Sequence, residues 1–275
     1  MTARFASLLF VTALAACSGS PDRKADTAAA GAPSDAASVS AASSAPAVAQ
    51  ASARHEKVSD DLMEFDYAYP AGAAAIPSLK AWLDADIAEE KAELLEQATA
   101  ARKEAQANGY PYRTYGYWVE WKTVTDLPGW LSLSAEVSTY EGGAHPNHGF
   151  TALVWDRKAN EKRDPDDLFT SEEALSAVIR KDFCRELDKQ RAKKRGGDGK
   201  LGGGISEFDT CIDPLDSTLI LGSSNGKTFD RLGILVPPYA AGPYAEGGYE
   251  VTLPVTAAVL NTVKPQFRDA FAVSR

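Results

Sequence analysis

Three strand-like segments succeed one another between Tyr115 and Trp155 with no segment of helical period between them, and this order restricts the fold more than any other feature of the chain. In the first, Tyr117, Val119 and Trp121 oppose Trp118, Glu120 and Lys122. In the second, Leu131, Leu133, Ala135 and Val137 alternate with Ser132, Ser134, Glu136 and Ser138. The third runs from Phe150 to Trp155, with Lys158-Ala159-Asn160 as the turn after it. Strands joined by short connections pair antiparallel, so this meander points to an antiparallel sheet, not to alternating βαβ units, and counts against nucleotide-binding folds.

The flanking segments fit an α+β fold of antiparallel sheets with a few packed helices. Met63, Phe65, Tyr67 and Tyr69 alternate as a strand, so order is expected to begin near Leu62. Pro77 opens a helix whose apolar face carries Leu79, Trp82, Leu83, Ile87, Leu94 and Leu95, and Asn108-Gly109 ends it. Thr170 and Glu173 stand at capping-box spacing before a second helix with Leu175, Val178, Ile179, Phe183 and Leu187 on one face. Strands are expected at Thr218–Leu221, Leu232–Val236 and Tyr249–Leu253, and a short helix from about Thr256 to Val263.

Ahead of this foldable region the chain has two other characters. Arg4, the apolar run Phe5–Leu14 and then Leu14-Ala15-Ala16-Cys17 read as a lipoprotein signal peptide over 1–16, too short to span a bilayer, with Cys17 as the acylated (palmitate-type) first residue. Several acyl chains, at about 0.8 kcal/mol per buried CH₂, anchor a protein stably where one does not. From there to residue 57 the chain is mostly Ala, Ser, Gly and Pro, and is expected to be a disordered tether without large apolar side chains to bury. The remainder divides into a small N-terminal α+β domain, 58–125, and a larger C-terminal one, 126–275. Export implies an oxidising compartment, so Cys184 and Cys211 are expected to form a disulfide.

The net charge of −9 argues against nucleic acid and suits a basic partner. No motif specifies a reaction. Gly222-Ser223-Ser224-Asn225-Gly226 has the spacing of a nucleophile elbow, but Asn225-Gly226 is a hairpin signal and His55, His145 and His148 all lie upstream. Gly226-Lys227-Thr228 lacks the first glycine of a phosphate loop, since Leu221 stands there. The basic, then Gly-rich stretch Arg191–Gly204 reads as a solvated helix end and loop. The densest polar cluster is Tyr140-Glu141-Gly142-Gly143-Ala144-His145-Pro146-Asn147-His148, joining two strands. With Tyr239 and Tyr244, in a Pro- and Gly-rich loop between later strands, it supplies the candidate ligand-binding residues: Tyr140, Glu141, Gly142, Gly143, His145, His148, Tyr239 and Tyr244. His145, His148 and Glu141 also have the chemistry of a metal site, although their spacing is not helical; no cofactor is otherwise implied.

Tyr140 to His145, Trp155-Asp156, Asp167-Leu168-Phe169, and Pro238-Tyr239 through Val251-Thr252-Leu253-Pro254 resemble, in that order, a domain of unknown function. That domain is shared by lysozyme-sensing (RsiV-like) anti-sigma factors and the non-catalytic region of PdaC-like peptidoglycan deacetylases. Leu62–Lys122 is similar to the small domain that precedes it in those proteins. The resemblance implies a non-enzymatic module at the cell envelope, binding a lysozyme-like protein or peptidoglycan. The alternative is a metal-assisted cell-wall enzyme using His145 and His148. Ser18 after the lipid cysteine favours the outer membrane, on its periplasmic face, in a cell with two membranes.

Overall fold

The computed structural model describes residues 51–197 and 206–274; the leader, Cys17 and the expected tether up to residue 50 lie outside the described residues. Among the described residues the elements run β1 (Arg54–Ser59), β2 (Met63–Tyr69), α1 (Ala71–Ala74), α2 (Pro77–Asn108), β3 (Tyr115–Asp126), β4 (Trp130–Tyr140), β5 (Asn147–Asp156) and β6 (Glu161–Arg163), then α3 (Glu172–Lys194), β7 (Thr218–Gly222), β8 (Arg231–Val236), β9 (Tyr249–Pro254) and α4 (Ala257–Thr262). They build an α+β fold with a six-stranded sheet in the order β1-β2-β3-β4-β5-β6 and a three-stranded sheet in the order β7-β8-β9.

The meander of β3, β4 and β5 is antiparallel, from Gly116 opposite Tyr140 to Asp126 opposite Leu131 and from Trp130 opposite Asp156 to Thr139 opposite Asn147. One pair departs from the expected pattern. β2 and β3 are parallel, from Met63 beside Tyr115 to Ala68 beside Glu120. A parallel pair needs a long crossover, and the 32-residue α2 provides it. Order also begins earlier than Leu62. β1, within the segment expected to be tether, pairs with β2, and Val58 is its single large apolar residue. Polar contacts fix this edge: Lys57 and His55 meet Asp66 at 2.9 and 2.6 Å, and Lys91 of α2 meets Glu56 at 2.8 Å.

α2 packs on one face of this sheet. Pro77 occupies its first turn, where a missing N–H costs nothing, and Gly109 closes it in the left-handed region at φ 71°. Leu79, Leu83, Ile87 and Leu94 are buried against Phe65, Tyr67, Val119, Trp121, Leu133 and Trp155. Leu95, next to Leu94 but a hundred degrees around the helix, is instead 46% exposed. The buried tyrosines of β2 keep their hydroxyls satisfied by the helix, Tyr67 donating to Asp86 at 2.5 Å and Tyr69 to Asp84 at 2.7 Å. Trp121 Nε1 in turn donates to the Tyr67 hydroxyl at 2.7 Å.

The second core lies between α3 and the small sheet, with Leu175, Ile179, Phe183 and Leu187 facing Leu219, Leu221, Leu232, Ile234 and Val251. Strand alternation links the two cores: Leu153 and Trp155 of β5 belong to the first and Val154 between them to the second. Trp130 at the start of β4 reaches Phe229 and Phe267, ring centroids 6.0 and 5.9 Å apart. The division expected between residues 125 and 126 falls inside the paired C-terminal end of β3, so both expected pieces contribute to one sheet. α3 is capped by Ser171, whose Oγ accepts from Ala174 N at 3.1 Å, one residue later than the Thr170 spacing predicts. Thr170 N is engaged instead by the Thr262 carbonyl of α4 at 2.7 Å. Cys184 of α3 is disulfide-bonded to Cys211, Cα atoms 5.6 Å apart.

Candidate functional site

The β4–β5 connection is pinned on one side and open on the other. Gly142 takes φ 83°, a conformation that favours glycine, and its carbonyl accepts from Arg113 at 3.2 Å. The Gly143 carbonyl accepts from both Arg113 at 2.9 Å and the Tyr140 hydroxyl at 3.0 Å. Beyond this anchor the chain delivers His145 to the loop between β8 and β9. There its ring stacks on Tyr244, with centroids 3.9 Å apart and planes 20° apart. His145 Nδ1 lies 2.9 Å from the Pro146 carbonyl and Nε2 lies 3.2 Å from the Tyr239 hydroxyl. A carbonyl only accepts, so Nδ1 carries the proton, while the Tyr239 hydroxyl, which both donates and accepts, serves as the partner of Nε2. Tyr244 also donates to the Pro146 carbonyl, at 3.1 Å.

His148 stands beside this stack, its ring centroid 5.9 Å from that of Tyr244. Its Nδ1 is 2.7 Å from Ser138 Oγ and 3.4 Å from Glu136 on the neighbouring strand. His145, His148, Tyr239 and Tyr244, distant in sequence, thus form one aromatic patch. Tyr140, Gly142 and Gly143 support the loop that bears it. Glu141 lies apart, lining a cavity of about 410 Å³ with Glu104, Tyr110, Arg113 and Tyr115. The three residues with metal-ligand chemistry are therefore not gathered, and among the described residues no group of three His, Cys, Asp or Glu side chains is placed to hold an ion.

The loop carrying the tyrosines is held from below by the C-terminal end of α3. Arg191 is fully buried and donates to the Ala241 carbonyl at 2.9 Å and the Thr210 carbonyl at 2.9 Å. Arg195 grips Glu246 through two nitrogens at 2.7 and 3.0 Å, and Lys194 donates to the Glu246 carbonyl at 2.6 Å. Burial opposes ionisation of Glu246, but the hydrogen bonds from Arg195 and Tyr249, with the charges of Arg195 and Lys194, outweigh it and hold the carboxyl below its ordinary range. Burial and the same carboxylate push the Tyr249 hydroxyl up to about 12. Over this foundation Tyr239 is held in the left-handed region at φ 69°, 52% exposed. A non-glycine residue there costs roughly 1 kcal/mol, a strain that persists only where surrounding contacts fix it.

Within the basic run starting at Arg191, Arg191 and the Arg195 side chain are therefore not solvated, whereas Lys193 is exposed, and the Gly-rich continuation over 198–205 lies outside the described residues. The signal for Arg191 was present in the spacing: Leu175, Ile179, Phe183, Leu187 and Arg191 follow one another every four residues on the buried face. The serine of the elbow-like spacing has a structural role. Ser224 donates from N and Oγ to Asp230 at 2.7 and 2.6 Å, and Asn225 Oδ1 accepts from the backbone of Lys227 and Thr228, so an eight-residue loop rather than a two-residue turn joins β7 to β8.

No curated protein matches the chain. Two of the solved structures similar to it are DUF3298-family proteins. One is a DUF3298-family protein from Bacteroides fragilis, 18% identical, with 74% of this chain and 90% of that one covered and a TM-score of 0.44. The other is a DUF3298-family protein from Pseudomonas aeruginosa, 15% identical, with 81% and 97% covered and a TM-score of 0.47. Residues 56–148, from β1 to the histidine beside the aromatic patch, match the family model described as Deacetylase PdaC, and over this segment the resemblance to PdaC-like proteins holds.

Proposed function

We propose that this chain is a cell-envelope binding protein, held at a membrane by a lipidated Cys17, that captures a cationic, lysozyme-like protein or peptidoglycan through the patch of His145, Tyr239 and Tyr244. In a cell with two membranes it stands on the periplasmic face of the outer one. The PdaC-like segment supports the envelope assignment, and the leader ending in Leu-Ala-Ala-Cys supports export and anchoring. The observation that carries the binding role is the His145–Tyr244 stack at 3.9 Å with an exposed Tyr239 locked over it. Rigid aromatic side chains on a buried foundation give a ligand large contact area with little entropy left to lose. The net charge of −9 favours a basic partner, because complementary fields accelerate encounter.

The test is capture of hen lysozyme by the immobilised mature chain carrying Cys17→Ser. Capture is expected to fall steeply as salt is raised from about 0.05 to 0.5 M, and Tyr244→Ala is expected to weaken it about tenfold at fixed salt. Absence of capture at low salt, or capture indifferent to both changes, refutes the cationic-protein reading.

A further inference from the structure

The face of the six-stranded sheet opposite α2 is only partly covered by the small sheet, and its uncovered end holds a cavity of about 430 Å³ lined by Trp118, Asp66, Glu120, Glu136, Ser138 and His55. The register explains the gathering. One row across the sheet is Lys57, Asp66, Trp118, Ser138 and His148; the next is His55, Ala68, Glu120 and Glu136. We propose that this cavity is a saccharide-binding site, with a sugar ring seated on the Trp118 indole and its hydroxyls bonded by the flanking side chains.

The indole is laid along its own strand. A Cβ on Gly116, two residues before it on the same face, would lie 1.9 Å from Trp118 Cη2 and 2.5 Å from Cζ2 and Cζ3. Glycine at 116 therefore lets the ring lie flat against the sheet rather than stand away from it. Trp118 is half-buried, and its indole N–H has no hydrogen-bond acceptor among the described residues. A pyranose offers what this platform lacks, a flat apolar C–H face for the ring and hydroxyls around its edge.

The surrounding groups match hydroxyls better than they match a simple ion. Hydroxyls both donate and accept, and the cavity presents both kinds of partner. The acceptors are held in place. Asp66 is fixed by His55 and Lys57 at 2.6 and 2.9 Å, Glu120 by Lys122 at 2.9 Å, and Ser138 Oγ by His148 at 2.7 Å. Glu120 and Glu136 lie directly opposite each other on β3 and β4. Like charges in that position work against the sheet, and the pair is tolerated with Lys122 2.9 Å from Glu120 and His148 3.4 Å from Glu136. Two adjacent carboxylates are well suited to accepting from neighbouring hydroxyls of one ring. The cavity volume is within the range of small-molecule sites.

The cavity is lined by none of His145, Tyr239 and Tyr244, and Trp118 and Gly116 belong to no part of that patch, so the two readings fail independently. The experiment titrates the mature chain carrying Cys17→Ser with chitotetraose and, separately, cellotetraose, following binding by calorimetry. Saturable binding of either oligomer is expected, weakened at least about tenfold by Trp118→Ala and by Gly116→Val, which keeps the indole but denies it its bed. Trp118→Phe is expected to retain most of the affinity, and lysozyme capture is expected to survive all three changes. Which oligomer binds tells an N-acetylated ligand from a plain glucan. No binding of either at millimolar concentration, or binding untouched by both Trp118→Ala and Gly116→Val in variants with native circular dichroism, overturns the proposal.

Discussion

Arg191 is the side chain on which the candidate patch most depends at a distance. Its guanidinium is buried entirely, and it connects α3 to the loop that carries Tyr239 and Tyr244 through the Ala241 carbonyl. Replacing it with Met preserves most of the apolar stem and removes every donor. The Ala241 carbonyl then loses its charged partner, and a buried acceptor left that way costs about 1 to 3 kcal/mol. Arg191→Met is therefore expected to lower the unfolding free energy from urea titration by that amount, with a lower midpoint, and to weaken ligand capture through the loop, without the patch itself being touched. An unchanged midpoint would mean that the loop finds its order elsewhere. Tyr67 is the counterpart in the first core, where burial and the Asp86 carboxylate push its hydroxyl pKa upward, so it remains a neutral donor at all working pH values.

At the level of elements, α3 is the member that joins the parts of the site. Its buried face builds the second core, its basic end holds the β8–β9 loop, and Cys184 on its flank ties it to the segment leading into β7. The crosslink spans a sequence separation of 27 residues. In the chain-entropy account a closed loop of that size stabilises by roughly 3 to 4 kcal/mol. The paired substitution Cys184→Ala, Cys211→Ala is expected to lose about that much in urea unfolding while keeping native circular dichroism, and an equal loss is expected on reduction of the unsubstituted protein. β1 illustrates the other way in which an element is fixed. It has little apolar surface to bury, and its place at the sheet edge depends on ladder bonds and on the ion pairs to Asp66 and Lys91.

For the molecule as a whole, the sign of its pH response follows from its paired carboxylates. Burial alone would raise Asp66, Asp84, Asp230 and Glu246, but donors outweigh it: Lys57 and His55 at Asp66, Lys80 and Tyr69 at Asp84, Ser224 at Asp230, Arg195 at Glu246. All four are held below their ordinary values in the folded state. The unfolded chain takes up protons first as the solution is acidified, so the stability these groups contribute is complete at neutral pH and is lost as pH falls below the ordinary carboxylate range of about 4. Glu90 has the opposite sign, its carboxyl raised by burial and by the nearby Asp86, Glu93 and Glu89 against a hydrogen bond from Tyr117. Glu56, Asp60, Glu173 and Glu186 are lowered as well and Glu172 is raised, so eight lowered carboxyls against two raised give a net fall. The urea midpoint is expected to hold steady from pH 7 to about 5 and to drop below about 4; a midpoint that rises on acidification would show that repulsion along α2 dominates instead.

How much of this was legible beforehand depended on the range of the interaction concerned. Alternation in Tyr115–Lys122 and Leu131–Val137, the Pro77 start and Gly109 stop of α2, and the apolar period of α3 are local signals, and each led to an element in its expected place. The left-handed Gly142 and the loop it opens were likewise marked by residue type. The parallel β2–β3 pair, the burial of Arg191 and the meeting of His145 with Tyr239 and Tyr244 were not. Each depends on which surfaces come together, and side chains 94 residues apart, as His145 and Tyr239 are, carry no mutual trace in the linear order. The flat Trp118 falls between the two cases, since Gly116 two residues before it was visible, but only the sheet register shows that both face the same cavity. The sequence by itself determined the strands, the helices and their ends, because hydrophobic period and backbone preference act over a few residues. Only the tertiary structure decided which of the polar and aromatic side chains became neighbours, because that follows from how two cores pack on one shared sheet.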